Sequence, residues 1–161
     1  MTIYHGSLDI VAHPEIRTPN RTLDYGSGFY TTTSFEQAAM WVKRKMQAYK
    51  TGKGYVNCYE LNLSDNSTLS ILRFDSPTEE WLDFVMQNRT DKTFRHAFDI
   101  VYGPVANDRV YTAFALYEGG LLNKQNLIAE LKTYTLVDQY LFHTPQSLDC
   151  LSFIEAKEIM L

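Results

Sequence analysis

Short runs of apolar, β-branched and aromatic residues alternate along this chain with stretches that carry helix start signals. Residues 1–5 and 29–32 have the composition of strands. A helix is expected after the second run, because Ser34 can cap it and Gln37, three residues later, completes a capping box. Strands separated by helices and irregular loops predict a mixed α+β fold.

Later segments continue this pattern. Ser76-Pro77-Thr78-Glu79 predicts a second helix start, in which the serine is the cap and the proline takes the first helical position. The dipeptide Thr144-Pro145 predicts the start of a final helix. Leu148, Leu151 and Ile154 would form its apolar side. The other predicted elements are strands over residues 55–63, 98–102 and 139–143, a helix over 124–133, and a segment over 109–118 that fits either type.

Length and composition indicate one globular domain. The chain has 161 residues, of which 45% are hydrophobic and 21% charged, so it is too apolar for a disordered protein. We find no repeat and no linker, and we predict a single domain over residues 1–161. Its net charge of −4 argues against nucleic-acid binding, since such proteins usually carry a basic face.

Cysteine usage and the N-terminal sequence bear on the compartment. Cys58 and Cys150 form no C-x-x-C pair, and no Cys or His stands at zinc-ligand spacing, so we predict no metal site. The first residues lack the basic and apolar regions of a signal peptide, and no apolar run reaches the length of a membrane span. We therefore predict a cytoplasmic protein with reduced thiols and no membrane partner.

Three short motifs place polar or aromatic residues at the ends of predicted strands. Tyr4-His5-Gly6-Ser7 puts an imidazole beside a glycine whose backbone a ligand can approach closely. Gly26-Ser27-Gly28-Phe29-Tyr30 is a tight loop that enters a strand, which makes a phosphate-cradling loop the weaker interpretation. Asp138-Gln139-Tyr140 is a polar strand start. An ordinary turn or strand end explains each motif when it is taken alone.

Together the three motifs resemble those of the ADP-ribosyltransferase superfamily, in the branch of the poly(ADP-ribose) polymerases and diphtheria-like toxins. The His5-Gly6 pair looks like the family's first motif, and the loop that ends in Tyr30 looks like its second. Trp41 lies eleven residues after Tyr30, where family members often place another aromatic residue. The chain is more closely similar to a group of small bacterial toxin-like domains of unknown function within that superfamily.

The resemblance implies an ADP-ribosyltransferase-like split mixed β-sheet core with flanking helices. It implies NAD+ as substrate, no metal, and catalytic roles for His5, Tyr30 and Gln139. It further implies a bacterial toxin or effector with mono-ADP-ribosyltransferase activity on a macromolecular target, and a small antitoxin-like protein partner. The residues expected to bind NAD+ are His5, Gly6, Ser7, Asn20, Arg21, Tyr30 and Trp41.

The chemistry of NAD+ agrees with these roles. Nicotinamide is a flat cationic ring, which Tyr30 and Trp41 can sandwich. The backbone of Gly6 offers one donor and one acceptor to the carboxamide, and His5 can hydrogen-bond a ribose hydroxyl. Cleavage of the glycosidic bond generates a ribosyl cation, so the site must place negative charge near that sugar.

The chain departs from the family pattern at the late motif. Gln139 stands where Glu is usual, and it supplies a dipole in place of a charge, a loss that commonly costs about 10²–10³ in rate. Asp138 would point to the opposite face of the strand. Asp108, which follows Asn107, is the best substitute carboxylate if that loop borders the acceptor side of the cleft. Ala38 also replaces a serine that some members use on the carboxamide.

Three functions remain open from the sequence. The first is mono-ADP-ribosyl transfer, which predicts NAD+ consumption; a protein side chain, a nucleic acid or water would be the acceptor. The second is a catalytically weak or inactive module that binds NAD+ or ADP-ribose and acts through a protein partner. The third is an interaction domain with an empty cleft, which predicts no thermal stabilisation by NAD+.

Overall fold

The computed structural model describes residues 1–64 and 67–161, and the strands in these ranges form two sheets. They are β1 (Thr2–Ser7), β2 (Phe29–Thr31), β3 (Lys53–Leu61), β4 (Ile71–Arg73), β5 (Ile100–Pro104), β6 (Asp138–Phe142) and β7 (Leu151–Met160). One sheet has the order β1-β3-β7 and the other the order β2-β6-β5-β4. Neighbouring strands are antiparallel, apart from the parallel pair of β4 and β5. This mixed architecture confirms the α+β class.

The helices of the described residues begin at side-chain caps. They are α1 (Phe35–Tyr49), α2 (Glu79–Thr90), α3 (Asp108–Glu118), α4 (Lys124–Lys132) and a 3₁₀ helix (Pro145–Cys150). The predicted cap of α1 is confirmed, since Ser34 Oγ accepts a hydrogen bond from the Gln37 N–H at 3.1 Å. Within the described ranges, no helix is both long and apolar enough to cross a bilayer.

Three apolar clusters hold the layers together. Ile3 and Tyr59 from the first sheet pack with Phe29 and Phe142 from the second, so the two sheets face each other. Helix α1 packs through Val42 and its neighbours against the outer side of the β1-β3 pair. Residues of α2, α3 and α4 cover the other side of the second sheet. The central strands of both sheets are therefore buried between the other sheet and helices, whereas most residues of β7 are exposed.

Two predicted helix starts differ from the structure. Helix α2 begins two residues later than predicted, because Thr78 and not Ser76 accepts the capping bond, from the Trp81 N–H at 3.3 Å. The prediction of a final helix is wrong. Thr144 caps only the short 3₁₀ helix, and the chain then continues as β7. The physical reason is that β3 offers an unpaired edge, and β7 pairs with it along its whole length.

Other segments were ambiguous or missed in the sequence. Residues 109–118, which fitted either type, form most of α3. The short strand β4 was not predicted, since three residues show too little alternation. It is defined by its parallel pairing with β5.

Candidate functional site

Strands β1 and β2 touch at one point and then diverge. The backbone of Tyr4 pairs with Thr32 through hydrogen bonds of 2.8 and 2.9 Å. In a continuing antiparallel ladder the next such pair would be Gly6 with Tyr30. The imidazole of His5 replaces that pairing, because its Nδ1 donates to the Tyr30 carbonyl at 2.7 Å. Since backbone direction alternates along a strand, the N–H and C=O of Gly6 point toward this split, as those of Tyr4 do.

Close packing of α1 explains why a glycine follows His5. A β-carbon at Gly6 would lie 2.6 Å from the Ala38 carbonyl oxygen and 2.8 Å from Val42 Cγ2. Gly6 is also buried, so a larger residue would push α1 away from β1. Because Ala38 and Val42 of α1 contact Gly6, the helical turn that also carries Trp41 lies beside the split between β1 and β2.

Trp41 presents much of its ring to solvent. It is 40% exposed, and the Lys45 ammonium lies 5.7 Å from the ring centroid. Among the described residues its ring makes no contact with that of Tyr30, so the predicted aromatic sandwich is not closed in this structure. The exposed part of the Trp41 ring is therefore accessible to a ligand.

Both the hydroxyl group and the ring of Tyr30 are held in place. Its hydroxyl donates to the Gly26 carbonyl at 2.6 Å and accepts from the Tyr25 N–H at 3.1 Å. The ring packs against the apolar cluster under α2, and burial holds the pKa of the phenol well above its ordinary value. Tyr30 is consequently held in place with its phenol protonated, and it is not suited to act as a general acid.

Gln139 lies on the same sheet face as Tyr30. Tyr30 pairs with Leu141, and Gln139 is two residues from that partner, where side chains return to the same face. Gln139 is buried, and its Nε2 donates to Asp24 Oδ2 at 3.2 Å and to the Pro104 carbonyl at 3.4 Å. As expected, Asp138 faces the other way, where it accepts from the Thr33 N–H at 2.9 Å.

Asp24 is the carboxylate that the structure places beside Gln139. It is buried, and its Oδ1 accepts from the Tyr111 hydroxyl at 2.7 Å and from Arg89 at 3.3 Å. The Ala106 N–H donates to Oδ2 at 3.3 Å. Sequence reasoning missed this partner, because residues 24 and 139 are 115 positions apart.

The predicted acceptor-side pair has a local structural explanation. Asn107 is the cap of α3, and its Oδ1 accepts from the Val110 N–H at 3.1 Å. Asp108 follows in the first helical turn and is exposed. Asp24 lies where a carboxylate could compensate for Gln139, and a role for Asp108 stays a prediction.

Ser7 and the loop before β2 complete the predicted set. Ser7 Oγ accepts from the Asp9 N–H at 3.2 Å, which closes a turn after β1. Asn20 and Arg21 line a cavity of about 540 Å³. Burial and then the charge of Arg21 lower the pKa of Lys45, so the loop cation and the helix cation share one region beside Trp41.

His5 is neutral at physiological pH. Burial is the main cause that lowers the pKa of its imidazole to about 4, and the charges of Lys45 and Arg17 act in the same direction. With the proton on Nδ1 committed to Tyr30, Nε2 is the acceptor of the ring. A ligand hydroxyl is the group that such a nitrogen recognises.

His5→Asn tests this account through pH. His5 has a folded pKa below its unfolded value of about 6.5, so the unfolded chain takes up the proton first and stability falls between about pH 6.5 and 4, by roughly 3 kcal/mol in total. Asn keeps a donor near the Nδ1 position and does not titrate, so the variant should lose that part of the pH dependence. Urea unfolding at pH 7.5, 5.5 and 4.5 measures the free energy of unfolding of both proteins. The same pH dependence in wild type and variant would contradict the lowered pKa of His5.

Comparisons with curated proteins and with solved structures find no match. A family model described as "Protein of unknown function (DUF3990)" matches residues 1–153, which is nearly the whole chain. On this match, the chain belongs to the family of unknown function DUF3990.

Proposed function

We propose that this chain binds NAD+ at the split between β1 and β2 and transfers a single ADP-ribose unit to a macromolecule. The observation that carries the proposal is the peptide edge of Gly6, which is turned toward the split beside a fixed His5. A planar carboxamide has one donor and one acceptor, which are complementary to the N–H and C=O of one residue. Because His5 occupies the Tyr30 carbonyl, the edge is kept free of a competing strand.

The surroundings of the split suit the rest of a dinucleotide. Trp41 offers an exposed ring for stacking on the cationic nicotinamide. Arg17, Arg21 and Lys45 concentrate positive charge on the loop side, where a pyrophosphate would be attracted. The acceptor Nε2 of His5 can take a hydrogen bond from a ribose hydroxyl.

The buried network supplies negative charge near the reacting sugar. Loss of nicotinamide leaves a ribosyl cation, which a carboxylate stabilises. The Asp24 carboxyl accepts hydrogen bonds from Tyr111 and Gln139, and Gln139 connects it to the sheet face that carries Tyr30. In this proposal Gln139 orients the sugar and Asp24 provides the charge.

Labelled NAD+ tests the transfer. The purified chain is incubated with bacterial lysate and NAD+ labelled on the adenylate, and label should appear in a macromolecular fraction as nicotinamide is released. Label that remains wholly in small molecules would reject transfer to a macromolecule.

As a bacterial toxin with a small antitoxin-like partner, the wild-type chain should inhibit growth on expression, and His5→Ala should relieve the inhibition.

Trp41→Ala should weaken NAD+ binding about tenfold, because stacking and the cation–π attraction are both lost. Tyr49→Ala is the matched control, since Tyr49 is an aromatic residue of the same helix with 71% exposure. The measurement is the NAD+-induced rise in melting temperature across a titration. Equal responses of the two variants would remove Trp41 from the site.

A binding module without turnover is the second candidate, and the fixed amide of Gln139 favours it. Gln139 Nε2 already donates to Asp24 and to the Pro104 carbonyl. A ligand must therefore fit the Gln139 side chain in its present orientation. This candidate predicts thermal stabilisation by NAD+ or ADP-ribose without release of nicotinamide. The labelling experiment therefore separates the two functions.

A further inference from the structure

A concave, cationic surface lies between the loop before β2 and the turn after α2. The cavity of about 540 Å³ is lined by Arg17 and Arg21 on the loop side and by Lys92 and Arg95 on the turn side. We propose that it binds an oligophosphate, and that it does so whether or not the chain turns over NAD+.

Of the residues that the structure describes, four cations line this cavity and only one carboxylate, Asp91, which interacts with the charge of Arg95. Across residues 1–64 and 67–161, none of the four cations forms an ion pair. Asp91 is the lining carboxylate, and it accepts from the N–H and the hydroxyl of Thr93, at 2.9 and 2.7 Å. In a chain of net charge −4, this concentration of positive charge selects an anion.

Arg95 is oriented before any ligand arrives. Its Nη1 donates to the carbonyls of Lys92 and Phe94, at 2.9 and 2.7 Å. These bonds use one nitrogen of the guanidinium, so other N–H groups of the fork remain for a ligand. A planar fork held in this way fits two phosphate oxygens at once.

Two imidazoles in contact with each other line the cavity. The rings of His96 and His143 are 4.2 Å apart, and both residues line the cavity. His96 Nε2 donates to the Tyr25 carbonyl at 2.7 Å, and His143 Nδ1 donates to the Ser27 carbonyl at 2.6 Å. These bonds attach the end of the loop that carries Arg17 and Arg21 to the rest of the fold.

Size and charge favour a small oligophosphate over a nucleic acid. A volume of about 540 Å³ is in the range of small-molecule sites. A nucleic-acid strand would also meet the acidic remainder of the chain, which repels it. The oligophosphate has two sources, a free compound or the diphosphate of NAD+ itself, and the experiment separates them.

Isothermal titration with inorganic pyrophosphate tests the site. The K92Q/R95Q variant should bind at least about tenfold more weakly than the wild-type chain, and binding should weaken further with salt. The K43Q/R44Q variant is the matched control, because it removes one Lys and one Arg from the exposed side of α1. It should stay within about twofold of wild type. Absence of pyrophosphate binding by the wild-type chain, or equal losses in both variants, would overturn the proposal.

A second variant guards against local unfolding, since Arg95 also supports its own turn. R17Q/R21Q removes two charges from the opposite wall and should weaken pyrophosphate binding to a similar degree. NAD+ is then titrated against each variant. A loss of pyrophosphate binding alone identifies a separate ligand, whereas a joint loss assigns the cavity to the diphosphate of NAD+. Pyrophosphate binding needs no transfer reaction, so a failure of the proposed function leaves this test intact.

Discussion

Asp24→Ala should lower the free energy of unfolding by about 3 kcal/mol, because it removes the acceptor shared by a buried network. The Ala106 N–H and Gln139 Nε2 both donate to Oδ2, and the Tyr111 hydroxyl and Arg89 both donate to Oδ1. Tyr111 can rotate its hydroxyl and Arg89 can reach water, which limits the loss. The Ala106 N–H would lose its partner in a buried site, and the Gln139 amide would keep only its 3.4 Å bond to the Pro104 carbonyl.

The matched control is Asp75→Ala. Asp75 accepts from Arg73 at 2.8 Å, but their side chains are 78% and 55% exposed, so this change should stay within about 0.5 kcal/mol of wild type. Urea unfolding of the three proteins at pH 7 gives the comparison. A loss below about 1 kcal/mol for Asp24→Ala would show that the network contributes little to stability.

Gln139→Glu should destabilise the fold, although it restores the residue usual in the superfamily that the chain resembles. The new carboxylate would replace a donor 3.2 Å from Asp24, and two like charges at that distance raise the pKa of the pair. Because the folded pKa would exceed the unfolded one, stability should be lost as pH rises through the raised value. Wild type has no such pair of carboxylates, so the free energy of unfolding of Gln139→Glu is compared with that of wild type at each pH.

The double variant D24N/Q139E separates charge from position. It keeps one amide and one carboxylate but exchanges their places, so it should recover part of the stability that Q139E loses. Under the proposed function it should also release nicotinamide about 10²-fold faster than wild type, since the charge then lies at the position of the usual Glu. Stability recovered without faster release would mean that the sugar does not bind at Gln139.

Local chemistry was sufficient to predict several parts of the fold. Ser34 satisfies an N–H three residues away, and this bond needs no distant partner, so α1 was predicted correctly. The same holds for the strand character of β1 and β2. Gly6 was noted as an opening for a ligand, but the sequence could not show that α1 requires it through contact with Ala38.

Tertiary structure decided the rest, because the deciding partners are far apart in the chain. The spacing of Leu148, Leu151 and Ile154 fits a helix, but residues 151–160 form a strand because β3 offers its edge. The resemblance pointed to Gln139 but not to its partner Asp24, and only the folded chain brings Gln139 Nε2 to 3.2 Å from Asp24 Oδ2 in a buried site. Caps and strand composition act within a few residues and are therefore visible in the sequence. Strand pairing and buried hydrogen bonds join residues that are distant in the chain, so they are decided only in the folded structure.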